Sequence, residues 1–275
     1  MTDLLGTILI LTPIFLGTFF RSTFGFGDAL IAMPLLALAV PLDTARPLVA
    51  LISTTVAAVI ACRDWQNVHF SSAWRLALWG VLGVPLGFLL IGSLDEDVVK
   101  IILAVLVTSY AAYCLASRQA LVLKTNRTAP LFGLVSGLLC GAYNTGGPPL
   151  VVYGTAQGWE AVKFRATLQG VFFPISLSIV SGHALVGNLS EQVLWFFLWS
   201  LPVMFVAIML GRGLNKRIGD RHFLVYVYWL LILIGIVLFI DSARGLHGKS
   251  TSGALQHDRA TETHRQTQLP HTRLH

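Results

Sequence analysis

Charge is what this chain has least of. Of its 275 residues, 19 are Lys or Arg and 13 are Asp or Glu, so charged side chains make up 12% while apolar ones make up 55%. With a mean hydropathy of +0.73, that balance argues against a soluble domain of this length and reads as a polytopic membrane protein. Cysteine is scarce too: Cys62, Cys114 and Cys140 show no CxxC pairing and no metal-ligand spacing, and in or beside apolar spans they read as small hydrophobes. There is no P-loop, which argues against ATP hydrolysis by this chain, and no cofactor is expected. The opening Met1-Thr-Asp-Leu lacks the basic leader of a signal peptide, so residues 1–24 are expected to stay in the mature protein. The formal net charge of +6 does not point to nucleic acid, because Lys and Arg sit in short loops and the tail, where they orient spans.

What is present is apolar sequence in long runs. Six stretches have the length that crosses ~30 Å of hydrocarbon, at about 45–61, 74–92, 98–116, 165–183, 192–210 and 222–240. Two further regions, 4–40 and 129–157, are apolar on both sides of a glycine-rich break, and each is either one broken span or a re-entrant hairpin. Loop charge decides between those options. The loops at 62–75 (Arg63, Arg75), 117–128 (Arg118, Lys124, Arg127), 158–165 (Lys163, Arg165) and 211–221 (Arg212, Lys216, Arg217, Arg221) are basic, whereas the turn at 93–97 carries Asp95, Glu96 and Asp97. A single crossing over 129–157 would put the basic loops on either side of it on opposite faces. A hairpin puts both in the cytoplasm, as the positive-inside rule requires. Both termini then lie outside.

The two breaks stand at a constant displacement, so that Gly27 falls on Gly146, Phe24 on Tyr143 and Arg46 on Arg165. Each unit is a hairpin plus three crossings, an odd number, so the second copy lies upside down relative to the first. The expected fold is an all-α bundle of two inverted repeats, 1–116 and 129–240, joined by a cytoplasmic linker at 117–128 and followed by a disordered polar tail at 241–275. Broken segments at matched positions of inverted repeats point to secondary transport by alternating access. The tail holds five of the eight histidines, but they are scattered without ligand spacing, and no metal site is expected.

Main chain at a helix break inside a membrane has lost its internal hydrogen bonds, so it is tolerated only where it is buried in protein or lines a wet cavity. Gly25, Phe26, Gly27, Asn144, Thr145, Gly146 and Gly147 are therefore candidate substrate contacts, with Gln169 as a polar residue inside the following span. Half-helices restart near Asp28 and Pro148, and their N-terminal ends suit a small oxyanion. Asp28 is open to two readings, an N-cap paired with Arg21 or a carboxylate that couples transport to protons; it reads as the sole carboxylate in mid-membrane. Arg21 either neutralises Asp28 or serves the anion site. Arg46 and Arg165 are candidate gates or electrostatic lures, or simple anchors of helix ends. An intramembrane protease is the least favoured reading, because no Ser–His pair or second aspartate is in place and His183 has no evident partner.

The stretches Phe24-Gly-Phe-Gly-Asp-Ala-Leu-Ile-Ala-Met-Pro-Leu-Leu-Ala-Leu and Gly141-Ala-Tyr-Asn-Thr-Gly-Gly-Pro-Pro-Leu-Val-Val-Tyr resemble the two repeat motifs of TauE/SafE-like permeases. Many such permeases carry three consecutive glycines where this chain has Gly27-Asp28-Ala29. The resemblance covers residues 4–240 and implies movement, with export favoured, of small sulfur-containing anions such as sulfite or sulfonates across a bacterial-type inner membrane. An anion-selective channel and an importer of a related anion are the alternatives. The expected partners are the anion and the bilayer, and a homo-oligomer is left open.

Overall fold

The computed structural model describes residues 4–37, 39–90 and 126–217, and most of 101–116 and 225–242. The turn at Asp95–Asp97, the loop residues Arg118, Lys124 and Arg221, Cys114 and the tail after Ser242 lie outside the described residues. Eight α-helices are described end to end: α1 Leu4–Phe24, α2 Asp28–Ala37, α3 Leu42–Asp64, α4 Phe70–Leu90, α5 Ala129–Tyr143, α6 Gly147–Ala156, α7 Ala161–Leu185 and α8 Glu191–Arg217. The described residues of 101–116 and 225–242 are helical as well. Among all of these there is no strand.

Five helical segments are long and apolar enough to cross a membrane: Gly6–Phe24, Asp43–Asn67, Phe70–Leu89, Ala161–Leu185 and Glu191–Asn215. The first is a difference from expectation. α1 alone has 21 residues, enough to reach across ~30 Å of hydrocarbon, whereas the matching α5 has 15. The helices that lead into the two glycine-rich breaks are therefore of unequal length. Trp195, Trp199, Phe205, Leu78, Leu82 and Leu86 stand exposed on α8 and α4, a surface that only hydrocarbon would cover favourably.

Local backbone chemistry sets the two corners. Gly25 and Gly27 have φ of +93° and +100°, values that an L side chain strains to adopt. α1 therefore stops at Phe24 and α2 restarts at Asp28. At the second corner Asn144 takes the left-handed conformation, φ 57°. Its N–H bonds the Cys140 carbonyl at 2.9 Å while Thr145 N–H reaches Leu139 at 3.3 Å, a left-handed cap that satisfies the last carbonyls of α5.

Side-chain contacts gather the basic loops at one end of the bundle. The His69 N–H donates to Thr167 Oγ1 at 2.9 Å, Ser72 to Asn126 Oδ1 at 3.1 Å, and Tyr153 OH to the same Asn126 oxygen at 3.2 Å. Trp159 stacks between Tyr153 and His69, with ring centroids 5.7 and 5.8 Å away. The region 129–157 thus enters and leaves by the same end, as a hairpin must. At that end, Asp64 closes on Arg212 at 2.8 Å.

The first hairpin enters from the opposite end. α1 runs alongside α8 in the same direction, with Ser22 Oγ donating to the Ile208 carbonyl at 2.9 Å and Asn215 Nδ2 to that of Thr23 at 2.8 Å. α5 in turn runs alongside α4, pairing Gly133 with Leu76, Gly137 with Gly80 and Gly141 with Val84. Each half's second long helix thus packs on the other half's first hairpin arm, while α3 and α7 pack on each other. The α4–α5 contact is backbone on backbone: a Cβ at Gly137 would overlap the Gly80 carbonyl, and one at Gly87 the Leu138 carbonyl. Small residues at such spacing let helices approach closely inside a bilayer. Gly137→Ala should therefore lower stability by about 2 kcal/mol or more, read as a reduced unfolding midpoint in detergent; an unchanged midpoint would mean that the two helices do not touch there.

Candidate functional site

Both breaks face one small cavity. It has a volume of about 30 Å³, and Gly27, Asp28, Asn144, Thr145, Gly146 and Gly147 supply its wall from the two corners, joined by Arg21 from α1. Ala29, Leu30, Ser53, Cys140, Phe172 and Ser176 complete it. About 10–15 Å³ suffices for one water, so the cavity as it stands has room for about two or three. A four-atom oxyanion needs the walls to part.

Arg21 is the centre of this arrangement. It is 2% exposed and lies in the last turn of α1, where the break at Gly25 turns its side chain back toward the start of α2. Its Nη1 pairs with Asp28 Oδ2, its Nε donates to Gln169 Oε1 at 2.9 Å, and its guanidinium carbon sits 4.9 Å from the centre of the Phe172 ring. Gln169 is held in turn by donating Nε2 to the Gly25 carbonyl at 2.8 Å. Ser53 on α3 donates to the same Asp28 oxygen that Arg21 holds. The Asp28 carboxylate is thus engaged by Arg21 and Ser53. Arg21 Nη2 is buried with no protein partner among the described residues, and it belongs to a side chain that lines the cavity. A buried guanidinium N–H left unpaired is costly, and an anion in the cavity is the group that would pair it.

The two restarting helices are unequal cradles. The first four N–H groups of a helix lack intrahelical partners, and at α6 two of those four positions are Pro148 and Pro149, which have none to offer. Gly146 and Gly147 are left. A Cβ at Gly146 would overlap Cys140 Sγ and the Ser136 carbonyl, and Ser136 Oγ donates to the Gly146 carbonyl at 2.7 Å. Gly146 is therefore required for close packing. Gly27 has nothing within 4 Å of where its Cβ would stand, so it is required for its φ alone.

A second, larger cavity of about 870 Å³ reaches the same place from the end opposite the basic loops. Its mouth lies at Asp43, Arg46, His183 and Asn188; its walls are Val81, Val84, Pro85, Phe88 and Ile179; its floor is Cys140 and Asn144, which also line the small cavity. Arg46 is half-buried on this wall. His183, which the sequence left without a partner, has its Nδ1 3.3 Å from Asn188 Nδ2 and its ring edge-on to Phe88.

The basic end is shut. Arg165, Gln169's neighbour one turn back on α7, is 2% exposed. Its Nη2 pairs with Asp64 and its Nη1 donates to the Ser22 carbonyl at 3.1 Å. Arg212 Nη2 holds the other Asp64 oxygen at 2.8 Å. Arg46 and Arg165, matched in the sequence, are thus placed differently, one lining the large cavity and the other buried in an ion pair at the basic end. Asp64, 5% exposed at the end of α3, is a second buried carboxylate, placed at the basic end rather than at the breaks.

Of the residues singled out from sequence, five corner residues line the small cavity with Arg21 and Asp28; Gly25, Phe26 and Gln169 do not. Phe26 is fully buried in the apolar core. Gly25 and Gln169 position Arg21 through their mutual hydrogen bond. Cys140, Ser53 and Ser176 were not named as site residues. Ser176 carried a usable signal, because Arg165, Gln169, Phe172 and Ser176 recur at helical spacing along one face of α7. Asp64 carried none, lying 101 residues from Arg165.

A family model described as "Sulfite exporter TauE/SafE" matches residues 9–238. A probable sulfite/organosulfonate exporter TauE of Cupriavidus necator is 27% identical over 233 residues, covering 82% of this chain and 91% of that protein. No solved structure matches. With its apolar spanning helices and a family match over most of its length, the chain is a multi-pass membrane protein that belongs to the sulfite exporter TauE/SafE family.

Proposed function

We propose that this protein is a secondary transporter of a small sulfur-containing anion, sulfite or a sulfonate, and that export is its direction, as the name of the Cupriavidus necator protein suggests. The observation that carries the reading is Arg21: a buried guanidinium with a free Nη2, set where two helix breaks meet, in a small cavity that shares Cys140 and Asn144 with the floor of the larger one. An open mouth and a sealed end are the two faces of an alternating-access cycle caught in one state. Support for two inverted repeats, 1–116 and 129–240, comes from hairpins that enter from opposite ends and from a packing pattern unchanged when the halves are exchanged. In this reading the basic end is cytoplasmic, both termini are outside, and the membrane is the bacterial inner one.

Charge arithmetic adds the coupling. Arg21 and Asp28 together are neutral, so an oxyanion joining them would bury a net negative charge, which is costly in a low-dielectric site. A proton on Asp28 removes that cost and frees Arg21 for the anion. Anion and proton then travel together. The same arithmetic favours a second reading, uptake of a related anion, since an acidic exterior would drive the pair inward. A channel is disfavoured by a cavity of about 30 Å³ between the vestibule and the sealed end.

The test is [35S]sulfite flux in proteoliposomes of the full chain under argon. Saturable flux that counterflow with unlabelled sulfite accelerates is expected. Flux that rises linearly with concentration would favour the channel, and no flux of sulfite or of short sulfonates would overturn the substrate class.

A further inference from the structure

Three nitrogens at the sealed end have no protein partner among the described residues: Arg165 Nε, Arg212 Nε and Arg212 Nη1, all buried. They belong to two guanidinium groups that share one carboxylate, Asp64. Among the described residues, two positive charges and one negative leave an excess of one positive charge, with the Arg165, Asp64 and Arg212 side chains 3%, 6% and 22% exposed. A buried charge without a partner is unfavourable, and orphaned guanidinium N–H groups add to the cost. A cluster built only to latch helices together would balance its charges. Among the described residues, this one lacks an anion.

We infer that Arg165 and Arg212 form a second anion-binding site at the basic end, in which the Asp64 carboxylate occupies the place that a substrate oxyanion takes on arrival. A carboxylate and a sulfite or sulfonate group present the same chemistry to a guanidinium fork: a delocalised negative charge with two or more acceptor oxygens at bidentate spacing. An oxyanion reaching the cluster brings the missing charge and acceptors for the three idle donors. It competes with Asp64 for the donors already used.

That exchange has a mechanical consequence. Asp64 ends α3, Arg165 lies on α7 and Arg212 on α8, and Arg165 also holds the end of α1 through the Ser22 carbonyl. Moving Asp64 aside unties α3 from α7 and α8. The next guanidinium along the path is Arg21, adjacent in sequence to Ser22 and bonded to Gln169, one turn beyond Arg165. The anion that opens the seal therefore has a second site to pass to. The inference rests on the transport reading only for this direction of passage.

Equilibrium binding of [35S]sulfite to the purified full chain in lipid nanodiscs tests it. Asp64→Asn removes the internal competitor and should give two anions per chain, the second bound about tenfold or more tighter than in the parent, as a charge-assisted contact implies. Adding Arg212→Gln to that variant should remove the second anion and leave the first, whereas adding Arg21→Gln should remove the first and leave the second. One anion per chain in Asp64→Asn, bound as in the parent, overturns the site. Where Asp64→Asn does not fold, Arg212→Gln alone decides: the sulfite concentration for half-maximal flux entering at the basic end should rise about tenfold, and an unchanged value overturns the site. Two bound anions without any flux in the parent would sink the transport reading and leave this site standing.

Discussion

Arg21→Gln abolishes sulfite binding at the central cavity and takes flux to the level of empty liposomes. The side chain supplies the only cation that lines the junction of the two breaks among the described residues, and it reaches Asp28, Gln169 and the Phe172 ring at once. Losing one member of a buried, hydrogen-bonded charge pair costs roughly 2–5 kcal/mol, so affinity should fall by at least about thirtyfold. Lys is no substitute, because a single ammonium cannot reproduce a planar fork that serves three partners. The single variant also leaves Asp28 buried without its cation, which destabilises the fold. The double variant Arg21→Gln with Asp28→Asn separates the two effects. It should recover the unfolding midpoint, because both buried charges are gone, while still failing to bind sulfite. Binding restored in the double variant would remove Arg21 from the anion site.

Asp28→Asn has the second largest expected effect, on what drives flux. In the proposed mechanism anion binding requires a proton on Asp28, so one turnover would move a monoanion and a proton together and carry no net charge. Flux should accelerate toward the alkaline compartment and ignore an imposed membrane potential. Asn keeps the shape and still accepts from Ser53 but can neither compete for Arg21 nor carry a proton. The variant should bind sulfite at least as well as the parent, lose its response to a pH gradient and become sensitive to potential. At −100 mV that sensitivity is about 2.3 kcal/mol per charge fully displaced, a bias easily resolved in flux. A variant that still accelerates with the pH gradient as the parent does would make Asp28 a structural partner of Arg21 and nothing more.

The two corners were legible because glycine and proline act through their own backbones. Gly25 and Gly27 stand where φ is positive, and Pro148 and Pro149 open a half-helix, for reasons contained in a few adjacent residues. Even so, the prolines were read only as helix starters, and their missing N–H groups make the second cradle poorer than it looked. Phe26 sits between the two glycines of the first corner and reads as part of the site for that reason, yet its ring points into the core.

Composition pointed to a membrane protein, and unbroken apolar runs long enough to cross hydrocarbon pointed to helices, which satisfy their backbone groups internally. Local sequence determined where the helices break, and the spacing of the breaks is what pointed to two related halves. Only the tertiary structure decided which polar groups meet. Arg21 finds Gln169 across 148 residues and Arg165 finds Asp64 across 101. Those pairings depend on how α1, α3, α7 and α8 pack side by side, a consequence of many apolar contacts that no local pattern of residues encodes. Which end is open and which is sealed was settled at the same level, because a seal made of two arginines and one aspartate exists only when three helices bring them together.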